Sequence, residues 1–229
     1  MPEPQLCVVR PNGPLRRIGY TGSPFKPSFV AAGDLESPDR GNRWDSQRGN
    51  FGVLYFGSTW ACSFGEVLQA LRPTTKMIDV VTPEWSDLGF MVCGKVEAAW
   101  RHRRIAVSVN IHDPRPFVDV EHSDTHEVLT QRMARIFAAL GVARLDVSTV
   151  RGADRRVTRS IAQWIHDQED DLGNRLYAGV RYLSKIDTDW ECWAVFDDTG
   201  WEEAEAPRPI QPDDVDLVRI RDRYRLSVY

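Results

Sequence analysis

The chain reads as a single α+β domain: a mixed β-sheet with about three main helices. Three observations predict this. Short apolar, β-prone runs recur along most of the chain, while two segments carry apolar residues at helical spacing. No linker, internal repeat or low-complexity tract divides them. The 229 residues would suit one large domain or two small ones, and the missing linker selects one domain over residues 1–229. A chain of this length buries enough apolar surface to need no disulfide or metal staple.

In order, Gln5–Arg10 and Leu15–Tyr20 look strand-like. Thr21–Asn50 is full of turn formers and reads as an ordered loop, long enough to be functional or partly mobile and a candidate lid. Val53–Phe56, between Gly52 and Gly57, reads as a buried strand. Ser58 or Thr59 then caps a helix carrying Ala61, Phe64, Leu68 and Leu71, which Pro73 stops. Glu66 falls on a different face of that helix from Phe64 and Leu68. Short strands are expected at Met77–Val81, Phe90–Val96, Ile105–Val109 and Ala143–Val147. His126–Leu140 predicts a helix with Leu129, Met133, Ile136, Phe137 and Leu140 on one stripe, ended by Gly141. Val157–Gln168 predicts another through Val157, Ile161, Trp164 and Ile165, with Asp154 and Thr158 as capping candidates. Gly179–Leu183 and Cys192–Phe196 are strands, Asp197–Asp214 a surface excursion, and Leu217–Ile220 and Arg225–Val228 candidate closing strands.

Composition removes several function classes. A net charge of −4 argues against a non-specific nucleic-acid binder, which needs surplus cations to neutralise phosphates. Among 29 basic residues only Lys26, Lys76, Lys95 and Lys185 are lysine. Arginine's rigid fork suits phosphate and carboxylate, although a GC-rich genome gives the same bias. Cys7, Cys62, Cys93 and Cys192 have no C-x-x-C spacing, so free thiols in a reducing compartment are expected. The start, MPEPQLCVVRPNG, lacks an apolar run of signal-peptide length, and no stretch reaches the length of a membrane span. The cytoplasm is the expected compartment. Phosphate-loop, dinucleotide-fold, serine-hydrolase and zincin motifs are missing. His122 and His126 read as surface imidazoles rather than metal ligands. Trp60, Trp85, Trp100, Trp164, Trp190, Trp193 and Trp201 invite a carbohydrate-binding reading, but Trp164 on a helical stripe and Trp193 in a strand are better explained by core packing.

Three segments hold polar residues that pattern alone does not demand: Arg43-Trp44-Asp45 leading to Gly52–Ser58, Ala61-x-x-x-Gly65-Glu66, and Gly179-Val180-Arg181-Tyr182-Leu183-Ser184. By residue type alone each has an ordinary reading: Arg43 and Glu66 as solvated surface charges, Tyr55 as core, Ser184 as a turn residue. In order, with Arg17-Ile18 before them and Ala194-Val195-Phe196 after, they resemble the RES family, named for its Arg, Glu and Ser. The agreement runs over about residues 15–200. Two segments, between Arg17 and Arg43 and over Asp170–Tyr177, are longer than the family pattern and bear on the pocket rim.

The resemblance implies an ADP-ribosyltransferase-like core: a mixed, mainly antiparallel sheet with flanking helices. It implies a NAD-consuming toxin of a type II toxin–antitoxin pair, cleaving the nicotinamide–ribose bond by hydrolysis or phosphorolysis and blocked by an antitoxin protein. A mono-ADP-ribosyltransferase acting on a protein is the alternative within the fold; a catalytically inactive binding domain is the alternative outside enzymology. NAD is then the substrate, with no metal, nucleic acid or membrane implied. The expected catalytic residues are Glu66, Arg43 and Ser184, and the expected NAD contacts are Arg17, Arg43, Tyr55 and Ser184. Arginine forks suit the pyrophosphate, the Tyr55 ring suits nicotinamide, and a Glu66 carboxylate suits a developing ribosyl cation. Arg16 adjoins Arg17, and either could face the pocket. Arg181 and Tyr182 read as structural, one on each side of a strand.

Overall fold

The structure, a computed structural model, describes residues 5–76 and 94–229. An eight-stranded sheet carries the order β1 (Val8–Val9), β6 (Phe117–Asp119), β7 (Gly179–Leu183), β8 (Glu191–Phe196), β3 (Val53–Gly57), β2 (Leu15–Tyr20), β5 (Arg104–Ile111) and β9 (Trp201–Pro209). Among the described strands of this sheet only β6 and β7 run parallel, so the sheet is mixed. Strands β4 (Lys95–Val96) and β10 (Ser227–Val228) form a separate parallel pair. The helices among the described residues are α1 (Trp60–Leu68), α2 (Ala98–His102), α3 (Ser123–Arg132), α4 (Ala134–Ala139), α5 (Val147–Val150), α6 (Arg155–His166) and α7 (Val215–Tyr224). None is long and apolar enough to cross a membrane.

Strand alternation divides the apolar residues between two faces. Ile18, Val53, Val180, Ala194 and Phe196 face the larger core, which takes Phe64 and Leu68 from α1, Ile161 and Ile165 from α6, and Leu217 and Ile220 from α7. Leu15, Leu54, Phe56, Trp193 and Val195 face a smaller cluster on the other side. Thr59 caps α1 by accepting the Cys62 amide at 3.1 Å, and Asp154 caps α6 through Arg156. Cys62 and Cys192 are unlinked, buried thiols with sulfurs 3.5 Å apart.

The long loop after β2 is ordered by a buried cation. The Arg159 guanidinium donates to the carbonyls of Asp34, Leu35, Ser37 and Arg40 at 2.6–3.4 Å and to Gln47 Oε1 at 3.2 Å. Arg159 has no solvent exposure, and burial lowers its pKa. The fully buried Asp45 carboxylate gathers the Ser28 hydroxyl and the Asn42 amide at 3.0 and 2.8 Å. The segment is therefore fastened to α6 and to its own aspartate.

Several expectations are corrected. Ala143–Val147 is not a strand; Asp146 accepts the Thr149 amide at 2.7 Å and caps α5 instead. Leu217–Ile220 is helical, inside α7, which ends where Arg225 turns left-handed at φ 53°. Ser227–Val228 pairs with β4 and does not close the main sheet. Asp197–Asp214 is no mere excursion, because it supplies edge strand β9. The helix expected over His126–Leu140 breaks at Met133, which leaves Ile136 42% exposed. His126 is buried with Nε2 2.7 Å from the Val120 carbonyl, so it is not a surface imidazole. Of Gln5–Arg10 only Val8–Val9 is strand. Met77–Val81 and most of Phe90–Val96 lie outside the described residues; Lys95–Val96 is β4.

Candidate active site

Strand β3, the turn at Ser58–Thr59 and helix α1 carry the chain to Glu66. Gly65, just before it, is glycine because Trp190 needs the space: a Cβ there would fall 2.1 Å from the indole ring. Ser184 follows β7 and is 1% exposed. Its amide donates to the Trp190 carbonyl at 2.9 Å, closing the loop between β7 and β8. Its hydroxyl accepts from the Ile186 amide at 3.0 Å and gives its proton to Glu66 Oε1. Glu66 Oε2 accepts from the Gln69 amide group at 3.1 Å. A serine just past the end of β7 and a glutamine on the following turn thus fix the carboxylate.

Arg43 approaches from the loop before β3. It donates to the Val150 carbonyl at 2.9 Å and the Arg151 carbonyl at 3.2 Å, which anchors it on the end of α5. Burial lowers its pKa, while Tyr182, Glu66 and Glu121 act in the opposite direction. Arg43 and Glu66 therefore feel each other electrostatically, yet among the described residues they form no ion pair.

Tyr55 lies on β3 with its hydroxyl committed inward. It accepts the Trp44 amide at 3.0 Å and donates to Asp45 Oδ1 at 2.8 Å. Burial and the Asp45 carboxylate push its phenol well above the usual range. The hydroxyl is thus committed to the protein, while the residue as a whole is partly buried. Tyr182 packs on Trp44 with ring centroids 5.5 Å apart, and its phenol is likewise pushed up by burial, with Cys192 and then Glu66 adding to it. Arg181, on the other face of β7, pairs with Glu191 at 2.9 Å and Asp119 at 3.2 Å.

Arg17 is not brought to this group. It shares a strand face with Leu15, and its nitrogens go to the carbonyls of Pro24 at 2.8 Å, Tyr55 at 2.9 Å and Lys26 at 3.5 Å. Arg16, on the Ile18 face, donates to the Ser58 carbonyl and lies 5.9 Å from the Trp60 ring, at the opposite end of α1 from Glu66. That end opens into a cavity of about 530 Å³ lined by Arg16, Trp60, Asp189, Trp190, Asp216 and Arg219. Sequence reasoning passed over Asp45, Trp44 and Tyr182 as site-forming residues. The Arg43-Trp44-Asp45 segment was a signal for the first two, since an aspartate beside a tryptophan in a loop suggests a buried anchor.

The sheet and α1 thus carry a fixed carboxylate, an arginine within its electrostatic reach, the partly buried Tyr55 and the buried Tyr182. The chain belongs to the RES domain family, whose model matches residues 14–219. The family is NAD-related and toxin-like. No curated protein matches the chain.

Proposed function

We propose that this domain cleaves the nicotinamide–ribose bond of NAD. The observation that carries the reading is the Glu66 carboxylate, fixed by Ser184 and Gln69 and within electrostatic reach of Arg43 without being neutralised by it. In the reaction the glycosidic C–N bond breaks and its electron pair goes to the nicotinamide nitrogen. Nicotinamide leaves as a neutral molecule, so no acid is needed to protonate it. The ribose becomes oxocarbenium-like, and Glu66 stabilises that charge or grips a ribose hydroxyl more strongly as charge develops. Ser184 keeps the carboxylate oriented. Arg43 binds the pyrophosphate, and the Tyr55 ring packs on the nicotinamide. Water then bonds to the anomeric carbon and releases a proton to solvent; phosphate would take water's place in phosphorolysis.

The toxin role, the antitoxin protein partner and the cytoplasm as compartment belong to the same proposal, supported by the family. Proton NMR of the purified protein with NAD, with and without phosphate, tests it. Free nicotinamide is the expected product, with ADP-ribose alone for hydrolysis or a phosphate-dependent second product for phosphorolysis. Unchanged NAD at high protein concentration would move the reading to a protein acceptor or an inactive binding domain.

A further inference from the structure

Beside Arg43 lies a cation that the sequence reading did not reach. Arg155 opens α6, is half-buried, and has no hydrogen-bond or ion-pair partner for its guanidinium among the described residues. The arginines around it are engaged. Arg151 pairs with Glu121 at 2.8 Å, Arg156 pairs with Asp154 at 2.6 Å, and Arg159 is spent on the loop carbonyls. Arg43 holds two carbonyls but no carboxylate, and one of them, Arg151, lies four residues before Arg155. The Arg43 guanidinium is thus held at the end of α5, and Arg155 begins α6 four residues further along the chain. Their proximity is felt electrostatically: after burial and the pull of Tyr182 and Glu66, the charge of Arg155 is a further influence lowering the Arg43 pKa, and it acts on the Tyr55 phenol in the same direction. The backbone amides of this turn are not free to bind a ligand. Arg155 N donates to the Pro38 carbonyl at 2.7 Å and Arg156 N to Asp154 Oδ1 at 3.0 Å.

Two like charges that feel each other and share no ion-paired carboxylate repel, and a bound dianion turns that repulsion into attraction. We infer that Arg155 and Arg43 form a dianion subsite in which Arg155 grips the pyrophosphate of NAD, the place expected for Arg17. This rests on the NAD reading above. The exposed Asp39 feels the charge of Arg155 but forms no ion pair with it, so a ligand has no salt bridge on Arg155 to displace.

The test is binding of ADP-ribose and of nicotinamide to wild-type protein, Arg155→Gln and Arg155→Lys, by calorimetry at two salt concentrations, with steady-state kinetics on NAD. Arg155→Gln is expected to weaken ADP-ribose binding at least tenfold, to flatten its salt dependence and to leave nicotinamide binding within twofold. KM for NAD rises while kcat holds, because a pyrophosphate contact acts equally on ground and transition states. Arg155→Lys recovers part of the affinity. Because Arg155 has no protein partner, the variant should fold like the wild type. If wild-type protein binds ADP-ribose and Arg155→Gln binds it equally well, the inference is overturned and the NAD reading stands. If wild-type protein binds neither NAD nor ADP-ribose, both fall.

Discussion

Gly65→Ala sets two effects on α1 against each other. In an exposed helix, alanine in place of glycine stabilises by about 1 kcal/mol. At Gly65 the new methyl would sit 2.1 Å from Trp190 Cη2 and Cζ3, far inside carbon–carbon contact. The ring has little room to retreat. Trp190 is 7% exposed, lies under the Arg223 guanidinium at 4.8 Å, and its carbonyl holds the Ser184 amide. Overpacking of this kind costs about 1–3 kcal/mol, and a contact this short belongs at the top of that range. The expected net effect is a loss of about 2 kcal/mol, opposite in sign to helix propensity. The same push moves Glu66 relative to Ser184, and a displacement of about 1 Å lowers turnover on the order of 100-fold. Urea unfolding and nicotinamide release measure the two effects. Gly13→Ala, where an added methyl meets nothing within 4 Å, is the near-neutral control. Trp190→Leu added to Gly65→Ala should return part of the lost stability relative to the single changes. A Gly65→Ala protein as stable as the wild type would refute the reasoning.

Arg159→Ala should cost about 3 kcal/mol, the scale of losing a buried charged donor whose carbonyl partners regain water, and should speed hydrogen exchange over residues 31–41; an unchanged urea midpoint would contradict the clamp. Ser184→Ala frees Glu66 Oε1 and should lower kcat about tenfold to 100-fold with little change in KM, whereas wild-type kcat would show that the hydroxyl does not position the carboxylate. Burial raises the phenols of Tyr55 and Tyr182 well above the usual range and that of Tyr224 to about 12. Raised folded-state values mean that stability is complete below the unfolded phenol pKa near 10 and is lost as pH climbs toward 12. Phenolate absorbance should therefore show part of the tyrosine signal appearing only with unfolding, and ionisation of all six at ordinary pH in folded protein would contradict the burial.

The strands that the sequence made legible are those whose surroundings impose a pattern. Leu15–Tyr20 and Gly179–Leu183 are interior strands of the sheet, and their apolar residues mark them out. Strand β9 reads Trp-Glu-Glu-Ala-Glu-Ala, and its charge reflects an edge position that only the assembled sheet defines. Leu217–Ile220 looks like a strand because a short run of Leu, Val and Ile fits either state; packing of Leu217 and Ile220 into the larger core settles it as helix. The helix break at Met133 has no glycine or proline to announce it. For the candidate site, Glu66, Ser184, Tyr55 and Arg43 were reached through ordered motifs spread over the chain. Arg155 and Tyr182 were not, because their relevance comes from the α5–α6 corner and from the packing of Trp44, neither of which leaves a local mark.

The measurement that bears most directly on the central claim is nicotinamide release from NAD by Glu66→Gln beside wild-type protein, with circular dichroism confirming the fold of each. Glutamine keeps the shape and a hydrogen bond to Ser184 but removes the charge. The account predicts steady release by the wild type and a loss on the order of 1000-fold in the variant. Wild-type turnover by a folded Glu66→Gln protein would contradict it.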